Sequence, residues 1–139
     1  MIQRKWVKVI AFVVSMVCCS AMASLSVHNN TDLDVTLSSN NTTIHLLVGG
    51  VIAAHGQKVI PGTWSITRRA TKGQSFLLGV SSGSKHETAS ITPHKDSGEV
   101  LSVSGGDFSI KINDASQPIA VGAVIPENAN ISIELPSKR

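Results

Sequence analysis

The chain has 139 residues, 12 Lys+Arg against 9 Asp+Glu, two Cys and no Tyr. Arg4, Lys5, Lys8, Cys18 and Cys19 all fall in the first 23 residues, so residues 24–139 carry nine basic and nine acidic side chains and no thiol. That balance excludes a bulk electrostatic case for nucleic acid, which needs surplus Lys/Arg against phosphate; the missing thiols exclude a disulfide framework, a zinc-thiolate site and a Cys nucleophile; the missing Tyr excludes a Tyr-rich adhesive surface.

Residues 1–23 read as a secretory signal peptide, with a basic stretch over 1–8, a mostly apolar run over 9–19, and Ala21-Met22-Ala23 as an A-x-A cleavage site. The apolar run is too short to cross a bilayer, which takes about 20 residues. Cleavage after Ala23 is therefore expected, with no transmembrane segment left. Cys18 and Cys19 raise a lipoprotein alternative, but Ser15-Met16-Val17 lacks the small residue required before a lipidated Cys. The compact signal has a bacterial form, and the expected location is the periplasm or the medium.

From Ser24 onward apolar residues alternate with polar ones, the period of a half-buried strand. Leu25/Val27 form the first set and Val35/Leu37 the second, separated by the turn cluster 29–32. After Asn40-Asn41, Ile44/Leu46/Val48 read as a further strand, and residues 50–60 as a strand rather than a helical turn. Trp64/Ile66 predict a strand entering a hairpin over residues 66–73, with Arg68, Arg69 and Lys72 around its tip. Then come Phe76/Leu78/Val80, Ala89/Ile91, Leu101/Val103, Phe108/Ile110/Ile112 and Ile131/Ile133/Leu135. The uninterrupted apolar run 119–125 reads as a strand buried on both faces. Gly, Pro, Asn and Asp clusters punctuate these sets, because Gly and Asn/Asp tolerate positive φ.

About eight to ten short strands at this spacing predict an all-β fold, an antiparallel β-sandwich with a small barrel as the alternative. Residues 24–139 fit one domain, and no repeat or linker divides them. With only Trp64, Phe76 and Phe108 as aromatics beyond residue 23, the core must come from Val, Ile and Leu.

Catalytic signals are sparse. His28, His45, His55, His86 and His94 form no H-x-H, H-x-x-H or H-E-x-x-H pattern. His86 and His94 flank one strand, roughly 20 Å or more apart if it is straight, too far to share a metal. No G-x-S-x-G accompanies the many serines. Four N-glycosylation sequons (at Asn29, Asn40, Asn41 and Asn130) matter only in a eukaryotic route; Asn in turns accounts for them otherwise.

Basic residues concentrate in loops. Arg68, Arg69 and Lys72 on a turn with exposed N–H groups suit an anion such as phosphate, a lipid headgroup or an acidic glycan. A solubilising, edge-protecting tip is the simpler account. Lys85, His86, His94 and Lys95 sit in two further polar stretches, where protonated His would add positive charge below about pH 6.5. The expectation is thus an exported binding or interaction module, not an enzyme, recognising an anionic lipid, glycan or partner protein through these seven residues, without metal or cofactor. The alternatives are a small hydrolase or metal-binding protein using histidines gathered across strands, and a subunit that polymerises by strand exchange.

Overall fold

The computed structural model describes residues 24–136; the expected signal peptide and cleavage site lie outside the described residues. The elements run β1 (Ser24–Asn29), β2 (Val35–Ser39), α1 (Thr42–Val48), β3 (Gly50–Ile52), β4 (Gln57–Pro61), α2 (Thr63–Thr71), β5 (Phe76–Ser82), β6 (Lys85–Pro93), β7 (Ser97–Ser104), β8 (Ser109–Ile112), β9 (Val124–Pro126) and β10 (Asn130–Glu134). Two sheets form, β4-β1-β10-β8 and β3-β2-β5-β6-β7-β9. All pairings are antiparallel except β1 with β10. One sheet curls into a half-barrel, and the whole is the all-β sandwich or small barrel that the alternation predicts.

The alternation works as expected where inward positions are apolar. Leu25 and Val27 on β1, Ile133 on β10, and Val35 and Leu37 on β2 are buried in one core shared by both sheets. On β6 the inward row is Glu87, Ala89, Ile91 and Pro93, all buried. Three of these lie opposite Val80, Leu78 and Phe76 of β5.

Four local expectations are corrected. Ile44/Leu46/Val48 lie on helix α1, not a strand. Asn41 caps it by accepting from the Ile44 N–H at 3.0 Å, and the burial is helical: Ile44 and Val48, four apart, are buried while Leu46 is 80% exposed. Residues 50–60 form two strands, β3 and β4, which belong to different sheets. Positive φ at His55 marks the turn that carries the chain across.

The third correction concerns the basic segment. It is helix α2, with Lys72 as a left-handed C-cap whose N–H donates to the Arg68 carbonyl. Trp64, Thr67 and Thr71 form its buried face. Their spacing is helical, and the two Thr hydroxyls satisfy themselves by donating to the Trp64 carbonyl at 3.1 Å and the Thr67 carbonyl at 2.8 Å. Threonine's preference for strands is overridden because this back-bonding lets it enter the core on a helix.

Fourth, residues 119–125 are not a strand buried on both faces. Val121 and Val124 are exposed, and only Ile125 is fully buried. Gly122, at φ +91°, breaks the run. Its N–H donates to the Val100 carbonyl while the Val100 N–H donates to Ala123, so the turn docks on β7.

A smaller departure occurs on β7. The register shifts so that Ile91 opposes Val100 and Ser90 opposes Ser102, leaving Leu101 unopposed. This bulge turns Leu101 outward and Val100 inward, reversing the predicted face for one residue.

Candidate functional site in the core

The core is not filled. A cavity of about 110 Å³ lies between the sheets. Val27 and Ile133 wall it from one sheet, Phe76 and Ala89 from the other, and Ile44 and Trp64 from the helices. Ala89 gives the middle of the β6 row only a methyl group.

The lining is apolar but for a few groups, and two of those are left without partners. Among the described residues, Trp64 Nε1 and Glu87 Oε1 are the buried side-chain polar atoms lacking a hydrogen bond. Each such group costs about 1–3 kcal/mol. The two sit at opposite ends of the β6 row. The Trp64 ring lies directly on Gly98, where a Cβ would collide with it, and Gly98 pairs with Pro93. Glu87 is six residues back from Pro93, about 20 Å along the strand.

Glu87 is the more informative of the two. Its side chain is inward and the residue is 6% exposed. Oε2 accepts from the Gly106 N–H at 3.1 Å, while Oε1 has no donor. Burial pushes its carboxyl up from the ordinary carboxylate range; the Gly106 N–H and neighbouring His86 pull it back, and Asp107 adds to the rise. Glu87 also lines a second space, a cleft of about 390 Å³ walled by Gly106, Phe108, Lys111, Pro118 and Glu134. Across that cleft Lys111 and Glu134 are already paired at 3.2 Å. Glu87 therefore lines both the cleft and the core cavity.

The seven residues expected to form one basic surface divide into two groups. Arg68 and Arg69 are exposed in the last turn of α2, with Lys72 at its cap. Phe76, four residues after Lys72, pairs with Ile91, which places this end of α2 at the same end of the sheet as His94 and Lys95. Lys85 and His86 lie at the far end of β6; His86 and His94 are eight residues apart, about 26 Å. The N–H groups expected to help bind an anion are committed: those of Lys72 and Gly73 both donate to the Arg68 carbonyl.

Among the described residues, Arg68, Arg69, Lys72, Lys85 and Lys95 have no carboxylate within 4.0 Å, and the ion pairs lie elsewhere. The two site histidines each have an acid beside them, His86 with Asp107 at 3.6 Å and His94 with Glu99 at 3.1 Å. His55 meets Asp32 at 2.6 Å. No three His, Cys, Asp or Glu side chains converge into a metal-binding group among the described residues. No described helix is long and apolar enough to cross a membrane.

Glu87 and Trp64 were not among the expected site residues. A signal for Glu87 existed, since extending the Ala89/Ile91 alternation back by two positions places an acid on the core face. Trp64 carried no such signal, because the segment reads as a strand. No family model matches the chain, and no curated protein matches it.

Proposed function

We propose that this domain is an exported, non-catalytic binding module that holds a small, largely apolar molecule between its two sheets. The observation that carries the reading is the apolar cavity whose lining runs from Glu87 at one end of the β6 row to Trp64 at the other. A disulfide-free domain retains this space and two orphaned polar atoms, and the two atoms cost about 1–3 kcal/mol each against a typical net stability of about 5–15 kcal/mol. Ligand sites are mostly apolar pockets with a few polar groups and a perturbed titratable residue. An apolar cavity of about 150 Å³ accepts a benzene ring, so the smaller space here, about 110 Å³, takes a single ring at most. Export rests on the composition of residues 1–23.

Trp64 is the only Trp beyond residue 23 and lines the cavity, so its fluorescence reports occupancy. Titrating residues 24–139 with toluene should give a saturable change in Trp64 emission. Ala89→Leu, which fills the space, should remove that change while raising Tm by a few degrees. No saturable response in the native protein, together with a lowered Tm in the variant, would show a core that binds nothing.

A second reading is favoured by the unpaired cations. Arg68, Arg69 and Lys72, with Lys95 and His94 at the same end of the sheet, would recognise an anionic lipid, glycan or partner protein. Lys85 and His86 would act apart from them. It ranks second because cations in a helix's last turn also complement its dipole.

A further inference from the structure

We propose that Glu87 selects the ligand, receiving the ammonium head of a small primary amine whose apolar body lies between the sheets. This rests on the cavity being a binding site. Three observations carry it. Glu87 Oε1 is buried and lacks a donor, while Oε2 is held by Gly106, so the carboxylate is anchored with one oxygen free for a guest. Glu87 belongs to both the apolar cavity and the outer cleft, so a molecule with its apolar part inside presents its head here. The cleft holds Glu87, Glu134 and Lys111, and Lys111 is already taken by Glu134. Nearby His86 and Asp107 face each other at 3.6 Å, so among the groups lining the cleft the unbalanced charge is that of Glu87, which favours a cation and repels a carboxylate.

An ammonium supplies both the missing donor and the missing charge. A hydroxyl supplies only the donor, and a carboxylate would bring a second negative charge to the same place. The burial that raises the Glu87 carboxyl is offset when a cation binds, because the ionised form then has a partner.

The test uses four molecules of similar body: benzylamine, benzyl alcohol, toluene and benzoate, titrated against residues 24–139 with the NMR shifts of the Ala89 methyl and the Glu87 amide as readout, since both lie at the Glu87 end of the cavity. The expected order is amine, then alcohol, then toluene, with benzoate weakest and at least tenfold below the amine. Glu87→Gln should bring benzylamine and toluene within about threefold of each other. Equal binding of all four, or an amine preference that survives Glu87→Gln, overturns the selecting role while leaving the cavity reading in place. Binding of none of the four overturns the cavity reading itself. A second measurement needs no variant: the Glu87 carboxyl, followed by carbon NMR in the native protein, should titrate at lower pH when benzylamine is present. An unmoved midpoint also overturns the proposal.

Discussion

Two inward polar residues show opposite solutions to the same problem. Asn29 is 0% exposed and fully satisfied: its Nδ2 donates to the carbonyls of Leu33, Ile52 and Ala53, and its Oδ1 accepts from the Thr31 N–H and hydroxyl. It ties the end of β1 to the end of β3. Glu87, equally inward, is satisfied on one oxygen only. Asn29→Ala removes all five bonds and strands buried carbonyls, so it should cost about 3 kcal/mol in urea denaturation. A loss below about 1 kcal/mol would mean that the turn is held by other contacts.

At the scale of elements, the two short helices bridge strands and close the core from the side. The edges of the sheets are protected. β3 and β9 have three residues each, β4 and β9 end in Pro61 and Pro126, and β8 carries Lys111. Short strands, edge Pro and edge Lys oppose pairing with another chain, which counts against polymerisation by strand exchange. Helix α2 keeps Arg68 and Arg69 on the exposed side and Trp64, Thr67 and Thr71 on the core side. Replacing Arg68, Arg69 and Lys72 together by Ala should therefore change stability by about 1–2 kcal/mol at most, through the helix dipole. If the second reading holds, the folded triple variant should lose at least tenfold in affinity for phosphatidylglycerol vesicles. Unchanged vesicle binding removes that reading.

For the whole molecule, Glu87 links the core to pH. Burial raises its carboxyl from its ordinary value, so the folded state holds a proton that the unfolded state releases first. Its favourable contribution is complete below the unfolded value and is lost as pH rises through the folded one. Glu87→Gln has no such proton to lose. The stability of the variant relative to the native protein should therefore increase from pH 4 to pH 7 in urea titrations. A constant difference across that range would show that burial does not govern this carboxyl.

The alternation of Leu25/Val27, Val35/Leu37, Phe76/Leu78/Val80, Ala89/Ile91 and Ile131/Ile133 determined the fold class, because each apolar strand face must be buried against another layer and the sequence has no long helical pattern to supply one. Composition likewise determined that residues 24–139 carry balanced charge and no thiol. Where the sequence misled, at α1 and α2, the deciding term was nonlocal. Ile44/Val48 fit strand and helix alike until the neighbouring sheets offer a surface to bury against; Trp64/Thr67/Thr71 have helical spacing only, but two threonines read as polar until the core admits them. The candidate site lay deeper still. An acid two positions before Ala89 was visible, but only tertiary structure decided that it faces a cavity, that Gly106 holds one of its oxygens, and that nothing holds the other. Those facts depend on how two sheets meet, and packing between segments distant in sequence leaves no local periodicity to read.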